Sequence, residues 1–340
     1  MSHPLVSIIL PVFNRDHCVR RALDSILAQT FQNFEIVVVD DGSTDGSLEV
    51  LKSYGDAIRL ICQKNCGCGT ARNVGVRAAR GRWIAFLDSD DVWLPDKLEC
   101  QMRVIEKYAA KVCYSRCMAE DGQPLPDLED VTSTLKEPGV HHVADPVEFL
   151  SRARGHPYLQ SLVLEKSLFD AAGFFDQTLH TGDDTLWLFK LSFLGDCLYV
   201  DRPLTIIHRY SDNSLTYDLR PAAAEKRYNA FVRTQAEMYW RLREARPQQA
   251  GLTRGRLAYS IACRAELACA AGQYQLTRAM AWDGLAFAGD FRTFSHCLAM
   301  LLAPWLCRSR FRKKWHLVNA ECGTRSGESP SAEREAGNAE

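Results

Sequence analysis

Apolar and polar positions come in alternating blocks along the first part of the chain, and these blocks predict a repeated order of strand and helix. Apolar, often β-branched runs at residues 6–10, 34–39, 58–62 and 83–87 are too short for helices and are predicted to be buried strands. Between the first two runs, Val19, Leu23 and Ile26 recur at helical spacing, and Asn14 is predicted to cap that helix. Strands that alternate with helices favour an α/β fold with a mostly parallel sheet.

Clustered carboxylates follow two of these predicted strands. The second strand runs into Asp40 and Asp41, and the fourth runs into Asp88, Asp90 and Asp91. Because ligands of open α/β sheets bind beyond the carboxyl ends of the strands, we expect these acids to lie along one edge of the sheet. Carboxylates this close together repel one another, so they are expected to bind a divalent cation, to bind substrate hydroxyls or to be protonated. A solvated acidic turn before a helix is the alternative for the second cluster.

A second acidic pair lies in the middle of the chain. Asp183 and Asp184 stand where a helix begins, and the helix that follows is apolar on nearly all sides, which predicts that it is buried. A helix N-terminus keeps a carboxylate ionised, as a general base requires, although simple helix capping is the competing interpretation. Residues 158–164 are predicted to form a strand, and residues 199–207 a closing strand that leads into His208.

The composition changes beyond residue 221. Alanine-rich residues 222–246 and 254–289 predict a separate helical domain, with a tetratricopeptide-like array as one form of it. Residues 297–306 are apolar but fall far short of the ~20 residues of a membrane span, so no bilayer crossing is expected. Arg308 and four further cations up to Lys314 follow, and this segment either contacts anionic lipid or ends a core helix. The tail from residue 323 is polar, and we expect it to be disordered.

Composition narrows the range of functions. The 340 residues carry 41 basic and 42 acidic side chains, so no overall charge favours nucleic acid. The 13 cysteines are scattered without the spacing of a zinc site and no secretory signal is seen, which predicts reduced thiols and a cytoplasmic protein. Neither a G-x-G-x-x-G sequence after the first strand nor a P-loop occurs, which disfavours dinucleotide and P-loop binding.

Four segments in this order resemble a known family. The sequences SIILPVFN, VVVDDGSTDGS, the N-x-G-x-x-x-A-R-N-x-G run of residues 65–75, and FLDSDDVWLPDKLE are similar to the inverting family 2 glycosyltransferases of the GT-A fold. The resemblance covers residues 5–195. It implies a Rossmann-like GT-A domain with a mostly parallel central sheet, which we place at residues 1–216. A C-terminal α-helical domain at 217–322 and the tail at 323–340 complete the expected organisation.

The resemblance also implies a reaction and a set of site residues. The donor would be a nucleoside-diphosphate sugar, most often a UDP-sugar, and the acceptor a hydroxyl of a glycan or lipid-linked molecule. Asp184 would be the general base, and Asp183, where the family usually has glutamate, would support the acceptor. Mn²⁺ or Mg²⁺ would be held by Asp90. The residues implied in nucleotide binding are Pro11, Asp40, Asp41, Asn65, Arg72 and Asp88.

Three points stay open at this level. His208 would be a second metal ligand, but the family histidine directly precedes an S-x-N-S sequence, where this chain has Tyr210, so a structural histidine is the alternative. A catalytically vestigial nucleotide-binding or scaffold protein that acts through its helical domain is one rival function. A nucleotidyltransferase is the other, although the stretch from Pro11 to Asn14 lacks the basic, glycine-rich sequence expected there.

Overall fold

The computed structural model describes residues 3–122, 133–134, 139–152, 158–208, 221–308 and 311. The strands in this part of the chain are β1 (Val6–Val12), β2 (Phe34–Asp40), β3 (Arg59–Cys62), β4 (Trp83–Phe86), β5 (Val92–Trp93), β6 (Val112–Ala119), β7 (Ser133–Thr134), β8 (Val140–Val143), β9 (Val163–Glu165) and β10 (Cys197–Ile207). The helices are α1 (Val19–Leu27), α2 (Ser47–Lys52), α3 (Cys68–Ala78), α4 (Lys97–Tyr108), α5 (Pro146–Arg152), α6 (Leu168–Ala172), α7 (Asp183–Leu191), α8 (Pro221–Ala245), α9 (Gly251–Ala270), α10 (Tyr274–Phe287) and α11 (Phe291–Leu302).

The described strands form one mixed sheet in the order β3-β2-β1-β4-β9-β6-β10-β8-β7, with β5 paired to β10. The first four strands of this order are parallel, whereas β9 pairs antiparallel with both β4 and β6. In the register of the parallel part, Asp40 lies opposite Val12 on one side and Cys62 on the other. The ends of β1, β2 and β3 therefore meet at one edge, and the predicted α/β class is confirmed.

Successive side chains of β1 point to opposite faces of the sheet and pack into an apolar core on each face. Ile8 and Leu10 are fully buried in a cluster that includes Leu23 of α1. Ile9 points to the opposite face and joins a cluster that includes Val76 of α3 and Trp187 of α7. Successive side chains of a strand face opposite sides, so a strand that is apolar throughout must be covered on both. Helices α3 and α7 are thereby held on the same face, next to the carboxyl edge.

The loop after β1 differs from its prediction. Helix α1 begins only at Val19, and Asn14 does not cap it. Asn14 instead adopts a left-handed conformation with φ of 52°, its backbone N–H donates to the Ser43 hydroxyl at 3.0 Å, and its side-chain oxygen accepts from the Thr44 N–H at 2.8 Å. Asparagine tolerates this conformation better than most residues. The predicted cap is therefore wrong, and the residue ties together the loops after β1 and β2.

The chain divides into two compact units, with one boundary after Thr216 and two more before Ala230 and after Arg254. The first unit contains Met1–Thr216 and also Ala230–Arg254. Within it, Met238 and Leu242 of α8 share an apolar cluster with Leu186 and Phe189 of α7, which explains why this part of α8 belongs with the sheet. The later turns of α8 thus complete the burial of α7, although they follow residue 216 in the sequence.

The second unit contains Tyr217–Asn229 and Gly255–Glu340, of which the described part is helical. Its core is formed by small and sulfur-containing side chains from α9, α10 and α11, including Ala265, Ala281, Cys297 and Met300. None of the helices in the described ranges is both long enough and apolar enough to cross a membrane. The predicted disordered tail lies outside the described residues.

Candidate active site

The carboxyl edge of the parallel strands brings the predicted nucleotide-binding residues of the first two motifs together. Pro11 is buried near the end of β1 opposite Val39, and Asp40 ends β2. Asp40 and Asp41 are each only 3% exposed. The Asp40 carboxylate accepts a hydrogen bond from the Ser43 N–H at 3.3 Å, which shapes the turn after the strand.

Asp41 holds the loop in front of α3. One of its carboxylate oxygens accepts from the Gln63 side chain at 2.7 Å and from the Cys66 N–H at 2.9 Å, and the other accepts from the Gly67 N–H at 2.8 Å. Gly67 has a φ of 90°, a conformation that favours glycine, so the glycine-rich sequence here makes a tight turn. Asn65 lies exposed in the same loop. Direct binding of a base by Asp41 stays a prediction.

Arg72 of α3 links the two acidic motifs of the sequence. Its guanidinium is 4% exposed and donates to Asp183 at 3.0 Å through one nitrogen and to Asp88 at 2.8 Å through the other. The ring of Phe175 lies beside it, 5.7 Å from the guanidinium carbon. A buried guanidinium needs compensating charge, and the two carboxylates provide it. Arg72 therefore holds Asp88, which follows β4, close to Asp183, which starts α7.

Asp183 is buried, and its surroundings shift its pKa in opposite directions. Burial raises its pKa to about 6, while the charge of Arg72 opposes this rise and the neighbouring Asp184 adds to it. The close approach depends on Gly69, because a Cβ on that residue would lie 2.9 Å from an Asp183 carboxylate oxygen. Any side chain at position 69 would therefore displace Asp183 from Arg72.

Asp184 differs from its neighbour in exposure and in partners. It is half-buried, whereas Asp183 is 5% exposed. Its carboxylate accepts from the Thr185 N–H at 2.6 Å in the first turn of α7, which begins after Gly182. Helix N-termini favour negative charge, and this carboxylate lies in the first turn of α7, next in sequence to Asp183. Of the two acids, Asp184 is the more exposed.

Asp90, Asp91 and His208 form a second group past the end of β4. Asp91 is 3% exposed, accepts from the His208 N–H at 2.9 Å, and has a pKa raised well above its usual range by burial. Asp90 lies 3.8 Å from the guanidinium of Arg15, and its backbone oxygen accepts from Arg21 at 3.0 Å. Asp91 therefore supports the closing strand, while Asp90 faces two cations.

His208 has a free ring nitrogen in this group. Its Nδ1 is buried without a hydrogen-bond partner among the described residues, and its Nε2 lies 3.6 Å from Glu120. Burial and the charge of Arg21 lower the pKa of the ring, which favours the neutral form that binds metals. Tyr210, the other candidate for this position, lies outside the described residues.

The side chains around Asp90 could hold a metal ion only if a bound ligand also coordinates that ion. Among the described residues, no group of three or more His, Cys, Asp or Glu side chains could hold a metal ion on its own. Asp88 is engaged by Arg72, and Asp91 by the His208 backbone. Mg²⁺ commonly takes one or two carboxylates and completes its shell with substrate phosphates and water. The Asp90 carboxylate and the His208 ring fit an ion of this kind, not one enclosed by protein.

Gln160 is a site residue that the sequence did not reveal. The predicted strand 158–164 is instead a 3₁₀ turn at Leu159–Ser161 followed by β9. This turn directs the Gln160 side-chain amide to the Asp88 oxygen that Arg72 does not bind. The Gln160 carbonyl accepts from the indole N–H of Trp93 at 3.0 Å, so that the 2%-exposed Trp93 is a core residue that supports the turn. A lone glutamine in an apolar run carries no signal of such a role.

Comparison with known proteins shows which sequences and folds this chain is similar to. Residues 7–136 match the family model described as glycosyl transferase family 2. An uncharacterized glycosyltransferase of Rickettsia prowazekii is 35% identical over 209 residues, which cover 61% of this chain and 64% of that protein. The chain therefore spans somewhat less than two thirds of that relative's length.

Solved structures share the fold at low sequence identity. S. aureus TarS 1–349 in complex with UDP-GlcNAc is similar with a TM-score of 0.56 and 18% identity, covering 91% of this chain and 92% of that one. The mannosyltransferase PcManGT from Pyrobaculum calidifontis, in complex with GDP-Man and Mn²⁺, gives a TM-score of 0.54 and 17% identity, covering 96% of this chain and 89% of that one.

Proposed function

Because residues 7–136 belong to glycosyl transferase family 2 and the fold is GT-A, we propose that the chain transfers a sugar from a UDP-sugar to an acceptor hydroxyl. The transfer would invert the anomeric carbon and serve the synthesis of a polysaccharide, lipopolysaccharide or other glycan. Donors in this proposal are supported by the nucleotide-sugar complexes of proteins with the same fold. Fold alone does not fix the activity, so the proposal depends on the site residues.

The observation that carries the proposal is the pair of contacts made by Arg72. This one side chain binds Asp88, which belongs to the donor motif, and Asp183, which precedes the expected base. An enzyme that joins two substrates needs the donor site and the base fixed relative to each other. A buried, doubly paired guanidinium supplies that fixation between β4 and α7.

In the proposed reaction, one displacement at the anomeric carbon both breaks and forms a bond. The acceptor oxygen bonds to the anomeric carbon as the bond from that carbon to the diphosphate oxygen breaks, and the diphosphate leaves as UDP. The acceptor proton passes to Asp184, which acts as general base. Asp183 stays with Arg72 and positions the start of α7.

On the donor side, Asp40, Asp41, Asn65, Arg72 and Asp88 would bind the nucleoside at the carboxyl edge, beside Pro11. Asp90 and His208 would hold Mn²⁺ or Mg²⁺, and such an ion, when bound, supplies positive charge that offsets the diphosphate. Arg15 lies close to Asp90 and adds positive charge at the same place. Without these cations a diphosphate would face several carboxylates.

The remaining parts of the proposal concern organisation and location. We place a GT-A domain at the N-terminus and a helical domain, with tetratricopeptide-like packing as one form, at the C-terminus. The protein would act in the cytoplasm on a glycan or lipid-linked acceptor, without binding nucleic acid. The region from Cys297 to Lys314 would contact the inner face of the membrane peripherally.

A thermal-shift panel tests the donor proposal. The melting temperature is measured with UDP, GDP and a series of nucleotide sugars, each with Mn²⁺, with Mg²⁺ or with chelator, because a ligand that binds only the folded state stabilises it by mass action. UDP or a UDP-sugar should raise the melting temperature most, and the increase should depend on the metal. Asp90→Ala should lose the metal-dependent part of the increase.

Turnover measurements separate the rival functions. Release of UDP from the UDP-sugar that stabilises the protein most would support the transferase. Stabilisation without any release, with every acceptor tried, would favour a vestigial nucleotide-binding protein. If UDP binds equally well in Mn²⁺ and in chelator, to wild type and Asp90→Ala alike, the proposed metal role is wrong.

A further inference from the structure

The second compact unit exposes large apolar side chains where two of its helical segments meet. Trp282 of α10 is 66% exposed, and Leu302, Trp305 and Leu306 at and after the end of α11 are 64%, 54% and 72% exposed. The guanidinium of Arg278 lies over the Trp305 ring, 5.6 Å from its centroid. Arg278 and Trp282 are four residues apart and so lie on one face of α10. We call Trp282, Leu302, Trp305 and Leu306 the apolar patch.

Two features keep these side chains outward. Helix α11 ends at Leu302, and the short helical turn of residues 304–308 begins at the buried Pro304, so that the chain changes direction between Leu302 and Trp305. Arg308 then closes the turn back on α10, with its guanidinium over the Tyr274 ring at 5.9 Å and a hydrogen bond to the Tyr274 hydroxyl at 3.4 Å. The turn is therefore anchored through Arg308 while Trp305 and Leu306 face outward.

The sequence around Trp305 and Leu306 carries charges of one sign. From Phe291 to Ala320 the sequence contains no aspartate or glutamate, and Arg308 is followed by Arg310, Arg312, Lys313 and Lys314. The chain as a whole is nearly neutral, with 41 basic and 42 acidic residues. Helix α10 carries one acid, Asp283, and one basic residue, Arg278. The sequence thus concentrates cations directly after Trp305 and Leu306.

We propose that the apolar patch, which the cation-rich sequence of residues 308–314 follows, docks the protein on an anionic lipid bilayer surface. Tryptophan and leucine insert at the boundary between headgroups and acyl chains. The negative surface potential of an anionic bilayer attracts each nearby lysine or arginine and strengthens binding. A nearly neutral chain whose sequence places five cations directly after exposed tryptophan and leucine side chains suits both the apolar and the anionic part of that boundary. Docking through this unit requires no sugar transfer, so it can succeed or fail independently of the proposed enzyme activity.

Vesicle flotation tests the proposal with the full-length protein. Wild type should float with vesicles that contain phosphatidylglycerol and not with pure phosphatidylcholine, and added salt should weaken the binding. The double variant Trp305→Ser, Leu306→Ser should bind at least about ten-fold more weakly, because it removes the two side chains that insert most readily. Trp240→Ser is the matched control, since Trp240 is 51% exposed but lies in the first unit, and its binding should equal that of wild type.

Two further measurements decide the outcome. Circular dichroism and melting temperature establish that the double variant is folded, and a fluorescence blue shift of the wild type on vesicles, reduced in that variant, reports insertion of Trp305. Equal binding by the double variant and wild type, or equal binding to neutral vesicles, contradicts the proposal. So does a dimer in light scattering that dissociates in the double variant while vesicle binding is absent, because the apolar patch would then be a contact between two copies.

Discussion

Replacing Arg72 with methionine is expected to cost about 3–5 kcal/mol of folding free energy at about pH 8, and less in acid. The guanidinium is 4% exposed and lies 3.0 Å from Asp183 and 2.8 Å from Asp88. Methionine is similarly long but uncharged, so it leaves the carboxylate of Asp183, itself 5% exposed, without the cation that compensates it. The loss of one partner of a buried pair is costly because the other charge stays in the interior.

The pH dependence of this loss follows from Asp183. Burial raises its pKa from 3.8 to about 6 in the folded protein, and Arg72 limits that rise, so the variant's pKa should lie higher still. Between pH 6 and that higher value, Asp183 is protonated in the folded variant. It is deprotonated in folded wild type and in the unfolded states of both proteins. The stability difference should therefore grow with rising pH in that window, by at most about 1.4 kcal/mol per unit. Below it the difference should be smaller and constant.

Urea unfolding of wild type and Arg72→Met, with chelator and without nucleotide, measures this difference from about pH 5.5 to about pH 8.5. Arg80→Met is the control, because Arg80 is exposed after the same helix, and it should stay within about 0.5 kcal/mol of wild type throughout. In an Asp183→Asn background the pH-dependent part of the Arg72→Met effect should disappear. A cost that is the same at every pH, or that falls as pH rises, would refute the assigned ion pair.

Two other substitutions test contacts around the same acids. Gly69→Ala should lower activity and melting temperature together, because its methyl group would lie 2.9 Å from an Asp183 oxygen, whereas Gly255→Ala, with open space around its Cβ position, should not destabilise the protein. Gln160→Ala should weaken UDP-sugar binding several-fold in a titration while changing stability little, because it leaves one oxygen of Asp88 without its partner. Gln160→Glu should weaken binding further, because the two carboxylates would repel each other. Equal UDP-sugar affinity in wild type and both variants would contradict the contact.

Local patterns accounted for the parallel strands β1 to β4 and for the acids that follow β2 and β4. Residues 36–39 are all β-branched and apolar, which is typical of a strand covered on both faces, so the placement of Asp40 and Asp41 at the carboxyl edge could be predicted. The same reasoning placed Asp88 after β4 and Asp183 at the start of α7. Each of these inferences depends on neighbours within a few positions.

The contacts that complete the site depend on distant residues and could not be predicted in this way. Arg72 and Asp183 are separated by 111 positions, and Gln160 and Asp88 by 72. The 3₁₀ turn that directs Gln160 is imposed by its packing on Trp93, whereas the local sequence favours a strand. Asn14 likewise has a sequence suited to a helix cap, but its partners in the loop after β2 determine its conformation. Tertiary contacts overrode local preference in each case.

The different roles of Asp184 and Asp183 are the central claim, and one pair of variants tests it directly. With the UDP-sugar that stabilises the protein most, UDP release during transfer is compared for wild type, Asp184→Asn and Asp183→Asn, and donor affinity is measured separately. Asp184→Asn should lower kcat by about 10²- to 10⁴-fold with nearly unchanged donor affinity, because it keeps the shape of the carboxylate and loses only its basicity. Asp183→Asn should lower kcat less, since Asp183 faces Arg72. Equal losses in both variants, or a loss of donor affinity in Asp184→Asn as large as its loss of turnover, would contradict the account.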